Sequence, residues 1–137
     1  MDLSTLSTKQ KSEDGVVMEV EDPRDGDPLL DEDGNPVTIT VAGSDSKAYR
    51  TYSRKAQNKR LKNLKPGQRK IDLDAAEMEE EQLNLLVECT LDWDGIAWEG
   101  KPLECTKPNA KMLYTELGWL RDQVDAYMAD RTNFFGS

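Results

Sequence analysis

The chain has no histidine in 137 residues. Without it the commonest general base and the usual nitrogen ligand for metals are missing, which excludes Ser-His and Cys-His nucleophilic catalysis and zinc-histidine centres. Cysteine is scarce as well: Cys89 and Cys105 are the whole supply. They have no histidine to activate them and no second pair to complete a metal site, so they read as small reduced side chains. No stretch approaches the roughly 20 apolar residues that span a bilayer. The opening Met1-Asp2-Leu3-Ser4-Thr5-Leu6-Ser7 also lacks the basic start and apolar run of an export signal. The expectation is a soluble cytoplasmic protein without membrane contact. A phosphate-cradling loop is missing too, because Gly95 and Gly100 stand too far apart and precede no Lys-Ser or Lys-Thr pair.

What the chain does have is charge, unevenly distributed. Its 27 acidic and 18 basic residues leave a net −9, with an isoelectric point near 4.6, which argues against wholesale binding to polyanions. Residues 1–46 hold 12 acids and 3 bases, residues 47–71 hold 10 bases and no acid, and residues 72–99 hold 10 acids and no base. A mixed tail follows. At this length one domain with one modest core is expected, without staples.

Residues 1–14 are polar and aperiodic and read as a flexible leader, with a single domain over 15–135. Val16-Val17-Met18-Glu19-Val20 reads as a strand, and Asp22-Pro23, Asp25-Gly26, Asp27-Pro28 and Asp33-Gly34-Asn35-Pro36 supply turns. In Val37-Thr38-Ile39-Thr40-Val41 apolar and polar side chains alternate, as in a strand with one buried and one wet face. Gly43-Ser44-Asp45-Ser46 can cap a helix running from Ser46 to about Leu64, which Pro66-Gly67 stops. A second helix is expected from Asp72 or Asp74 to about Leu91, its early acids complementing the helix dipole. After it a Gly-punctuated loop carries Trp93 and Trp98. Thr106 caps a further helix, with Pro108 in its first turn, from Asn109 to about Arg131, bent or divided at Gly118. The fold class is therefore α+β, predominantly α-helical, with a small N-terminal hairpin or sheet followed by three to four helices.

Few patterns carry chemistry. Asp31, Asp33 and Asn35 alternate like calcium ligands, but Gly34 is fourth and Ala42 twelfth, where such a loop needs Gly sixth and Glu twelfth. The carboxylates show no pairing that marks an acid-base site. Arg54, Lys55, Lys59 and Arg60 crowd the first helix beside Tyr49 and Tyr52. They read first as a solvated face pairing with Glu77-Met78-Glu79-Glu80-Glu81 of the next helix; docking of an acidic protein, or contact with phosphates and bases, are the alternatives. The large aromatics Trp93, Trp98 and Trp119 read mostly as core. Trp98 is carried as a candidate contact residue, and Phe134 and Phe135, near the chain end, as the best candidate anchors for a partner.

The last third holds an ordered series of motifs: Leu91-Asp92-Trp93-Asp94-Gly95-Ile96, then Glu99-Gly100-Lys101-Pro102-Leu103, then Asn109-Ala110 with Leu113-Tyr114, then Trp119-Leu120-Arg121-Asp122-Gln123-Val124, and finally Asn133-Phe134. In this order they resemble the tail assembly chaperones of long-tailed bacteriophages. The likeness is specific over the last 45 residues or so and weak before residue 72. One departure is Cys105-Thr106-Lys107-Pro108, where the family often has a Phe-Ser or similar pair; Thr106 keeps the cap but not the aromatic. The resemblance implies a small, mostly helical protein without a catalytic site or cofactor. It implies binding to the tail tape measure protein, which is kept soluble, and recruitment of the tail tube protein through a longer form made by ribosomal frameshifting. It also implies residence in the host cytoplasm and absence from the mature virion. Self-association, with the basic block of one copy meeting an acidic block of the next, is a further expectation. The competing readings are a head-tail or tail completion protein retained in the virion, and a nucleic-acid-binding regulator working through residues 47–70, which the acidic balance disfavours.

Overall fold

The computed structural model describes residues 1–64, 67 and 75–135. Three strands, β1 (Val16–Glu19), β2 (Thr38–Val41) and β3 (Thr90–Asp94), form an antiparallel sheet in the order β1-β2-β3. Side chains alternate across it: the cross-strand row Met18–Ile39–Trp93 turns inward, and the rows Val17–Thr40–Asp92 and Glu19–Thr38–Asp94 turn outward. The long β1–β2 connection is tied by bridges Glu21–Pro28 and Leu30–Pro36. In it the Asp31 carboxylate accepts the backbone N–H groups of Asp33 and Asn35, both at 2.9 Å, which is turn chemistry.

The third strand departs from expectation. Residues 90–94 were expected as a helix end and a loop, because no turn residue separates them from the preceding helix; pairing with β2, through a bulge at Thr40–Val41, makes them a strand. A short hairpin follows, β4 (Ala97–Trp98) and β5 (Lys101–Pro102), whose turn residues Glu99 and Gly100 have φ of 51° and 83°. Two positive φ angles in a two-residue loop match the twist of the flanking strands.

Five α-helices complete the described residues. The first, α1 (Lys9–Asp14), lies in the segment expected to be a flexible leader and is treated below. The second, α2 (Lys47–Lys62), starts where Ser46 Oγ accepts the Tyr49 N–H at 3.2 Å. Its expected stop at Pro66, and the expected start of the next helix at Asp72 or Asp74, lie outside the described residues. The third, α3 (Ala75–Cys89), buries Leu83, Leu85, Leu86, Val87 and Cys89. The last two, α4 (Lys107–Glu116) and α5 (Gly118–Ala129), divide the expected long helix: Leu117, at φ −114° and ψ 80°, leaves the helical region before Gly118. Thr106 Oγ1 accepts the Asn109 N–H at 3.2 Å, and Pro108 sits in the first turn, both as expected. The fold is thus α+β and predominantly helical.

The core lies between the inner face of the sheet and α3, α4 and α5. Ile39 and Val41 meet Leu86, Leu113, Tyr114 and Val124 there. Tyr114 is buried with its hydroxyl 2.7 Å from Thr90 Oγ1, which in turn donates to the Leu86 carbonyl at 2.8 Å, so the polar ends of both side chains are satisfied. Trp93 is buried and donates from Nε1 to the Leu103 carbonyl at 2.7 Å, tying β3 to the segment after β5.

Residues 1–14 are docked on the domain rather than a free leader. A 3-10 turn (Leu3–Leu6) precedes α1, and Ser12 of α1 is buried against Gly43. A Cβ on Gly43 would lie 2.4 Å from Ser12 Oγ and 2.9 Å from the Phe134 ring, so the missing side chain is what admits both. The Gly43 N–H donates to the Ser12 carbonyl at 3.0 Å. Glu13 accepts the Lys47 N–H at 2.8 Å, and the Thr8 hydroxyl donates to Asp45.

Candidate partner-binding surfaces

The residues singled out from sequence fall into three situations. Arg54, Lys55 and Lys59 are exposed on α2 and form no ion pair with any described residue. Arg60 lies on the flank of the same helix facing α3, and its guanidinium grips the Glu81 carboxylate at 2.5 and 3.2 Å. This pairing raises the pKa of Arg60, hydrogen bonding to Glu81 being the largest cause.

Besides Arg60–Glu81, which joins the basic and acidic blocks as expected, three acids of α3 pair elsewhere in the same chain. Glu79 pairs with Arg121 of α5 at 3.0 Å, Glu80 with Lys111 of α4 at 2.7 Å, and Glu88 with Lys107 of α4 at 3.0 Å. The Lys111 ammonium holds the Glu80 carboxyl below its ordinary pKa. Glu79, Glu80 and Glu88 are therefore drawn toward α4 and α5, and Arg54, Lys55 and Lys59 of α2 are left without an ion pair among the described residues. Each bridge is partly exposed, so solvent screens it and its contribution to stability is small.

The aromatic candidates separate. Phe134, expected as an exposed anchor, is 1% exposed and belongs to the core. The reason is long-range: Asp130 caps a 3-10 turn (Arg131–Phe134), which folds the ring back edge-on to Tyr127 at 6.1 Å, beneath α1 and Gly43. Phe135, one residue on, is 42% exposed. Trp98, on β4, is half-buried at the rim of the core.

The two chain ends meet at the β2–α2 junction. Asp45 accepts from Thr8 of the N-terminal segment and from Arg131, at 3.0 and 3.1 Å, of the C-terminal turn. Arg131 and then Thr8 hold the Asp45 carboxyl below its ordinary pKa. Beside this junction a shallow cleft of about 480 Å³ is lined by Ser7, Lys9, Gln10, Glu13, Lys47 and Arg50. It is open, and Glu13 on its rim accepts the backbone N–H of Lys47.

One surface went unread in the sequence, the outer face of the sheet. Val17 and Leu91 are 58% and 43% exposed there, beside Thr38 and Thr40 and the exposed carboxylates of Glu19, Asp92 and Asp94. Val17 lay in a segment read only as a strand, Leu91 was assigned to a helix end, and Asp92 and Asp94 to a loop.

The buried thiol of Cys89 is pushed up to about 12 by desolvation, and Cys105 is also raised by burial, so neither is a thiolate nucleophile at neutral pH. Among the described residues no group of three or more His, Cys, Asp or Glu side chains is placed to hold a metal ion, and no helix is long and apolar enough to cross a membrane. Comparison with protein-family models, curated proteins and solved structures finds no match.

Proposed function

We propose that the chain is a tail assembly chaperone of a long-tailed bacteriophage, which binds the tape measure protein, keeps it soluble in the host cytoplasm, helps to recruit the tail tube protein and leaves before the virion matures. It acts by binding and carries out no reaction. The observation that carries this reading is the ordered motif series from Leu91 to Phe134. Its residues make the contacts that define the C-terminal half of the domain. Trp93 bonds the Leu103 carbonyl, Asn109 Nδ2 donates to the Glu104 carbonyl at 2.9 Å, and Ala110, Leu113, Leu120 and Val124 are buried. A likeness in such residues is a likeness of fold, so the binding function rests on what the fold leaves outside.

Outside are an uncommitted cationic helix face, an open sheet face with two apolar side chains, and the exposed ring of Phe135. These are surfaces for a macromolecule, and the net −9 keeps a complex with an apolar client in solution. Co-expression with the tape measure protein of the same phage tests the reading. The client is expected in the soluble fraction and bound to this chain; a client equally soluble without it overturns the reading. Mass spectrometry of mature particles adds a second arm, because finding this chain there would make it a structural component instead.

A further inference from the structure

Two uncommitted faces of the domain carry opposite charge. On α2, Lys47, Arg50, Arg54 and Leu61 recur at intervals of three, four and seven along one side, flanked by Lys55 and Lys62. All are exposed, and none of these cations forms an ion pair with a described residue; Lys47 and Arg50 line the cleft beside α1, with Arg50 Nε donating to the Ser46 carbonyl, so the fully open stretch runs from Arg54 to Lys62. On the outer sheet face the cross-strand rows set Glu19, Asp92 and Asp94 around Val17, with Leu91 reaching over Gly15 and Thr40. Those three carboxylates are exposed and likewise unpaired among the described residues. Both faces are free in the same molecule, so they do not meet within one copy.

We propose that the outward face of α2 docks on the outer sheet face of a second copy, head to tail. The sizes suit each other. The 16 residues of α2 make a rod of about 24 Å, and three strands of four or five residues offer a platform about 10 Å across and about 15 Å long. Two to three turns of the helix therefore fit, with cations beside the carboxylates and Leu61 toward Val17 and Leu91. The contact is electrostatic at its edge and small in its apolar centre, which makes it weak, reversible and salt-sensitive. It is also heterologous: each docked pair leaves one free helix face and one free sheet face, so copies add on until a ring closes or a filament grows. A use for such an array, as a coat along an extended client, rests on the chaperone reading; the contact itself does not.

Sedimentation velocity of the full chain alone tests it. At about 0.02 M salt the wild type is expected to show concentration-dependent faster species, which vanish at about 0.5 M. A helix variant (Arg54→Glu, Lys55→Glu, Lys62→Glu) and a sheet variant (Glu19→Lys, Asp92→Lys, Asp94→Lys) should each lose those species while keeping the wild-type circular dichroism. Mixed in equal amounts they should regain them, since each reversed helix then finds a reversed sheet and each native helix a native one. A wild type that stays monomeric at low salt, association that survives both sets of changes, or a folded mixture that remains monomeric overturns the proposal. A monomeric wild type would leave the α2 face for an acidic partner of another kind. The client plays no part in the experiment, so its failure is separate from that of the chaperone reading.

Discussion

Helices α2 and α3 are nearly equal in length, 16 and 15 residues, and pack side by side, yet α3 buries five residues and α2 none. The core holds α3 through its second half, from Leu83 to Cys89, while residues 75–80 are exposed. By contrast α2 is held mainly at its ends, by the Ser46 cap and the Glu13–Lys47 bond at the start and by Arg60–Glu81 near the finish, with Tyr49 and Tyr52 half-buried between. Lys59, Arg60 and Lys62 in its last turn also complement the negative end of its dipole. The difference teaches that a helical pattern does not commit a helix to the core. One helix supplies stability, and the other keeps a whole face available.

The largest test of this contrast is a pair of leucines. Leu86→Ala in α3 removes a fully buried side chain and should lower unfolding free energy by about 2–5 kcal/mol. Leu61→Ala in α2 removes an exposed one and should stay within about 0.5 kcal/mol of wild type. Denaturant titration reads both, and similar losses would break the comparison.

A smaller effect is expected where the start of α2 is clamped. Gly43→Ala drives a Cβ into Ser12 and the Phe134 ring, and should cost about 1–3 kcal/mol. Ser12→Gly removes two of the three clashing atoms, so the double variant should recover part of that loss; strict additivity would show that α1 does not dock through this contact. Smaller again is the far end: Arg60→Ala should cost about 0.2–1 kcal/mol and speed amide exchange in the last turns of α2 while α3 keeps its protection. Exchange that rises equally in both helices would mean they open as one unit.

These tests bear on how far the molecule was legible in advance. Strand β2 and the caps at Ser46 and Thr106 were readable because each is a local pattern: alternation in Thr38–Val41, or a hydroxyl three residues before the N–H it accepts. Strand β3 was not, since Thr90 follows Cys89 without a break and becomes extended only by pairing with residues some fifty positions earlier. The docking of α1 has no apolar periodicity to announce it; it depends on a side chain that Gly43 lacks. Phe134 and Phe135 are neighbours of one type, and only the tertiary fold puts one under α1 and the other outside. For the candidate surfaces, the surplus of cations on α2 was visible, but their freedom was not. That required knowing that Lys111 and Arg121 would take the acids of α3.

The subtlest way to sharpen the comparison is pH, acting on the clamp and not on the core. Asp45 joins both chain ends to the start of α2, and its carboxyl is held below the ordinary aspartate value of 3.8 by Arg131 and then by Thr8. In the unfolded chain the group titrates at its ordinary value, so between the two values the folded state binds fewer protons. Its contribution is therefore fully present above about pH 4 and is lost as pH falls through the lower folded value. Glu80, lowered by Lys111, titrates in the same direction and would weaken the α3–α4 contact as well, so a simple acid scan cannot separate the two. Asp45→Asn can, because it abolishes one titration and leaves the other. The wild type should lose amide protection in α1 and the first turn of α2 on acidification, and Asp45→Asn should show that loss already at neutral pH with little further change. In both proteins α3 should respond alike; a difference between them in α3 would mean that the clamp at Asp45 reaches the core, and that α2 is less separate from α3 than its burial suggests.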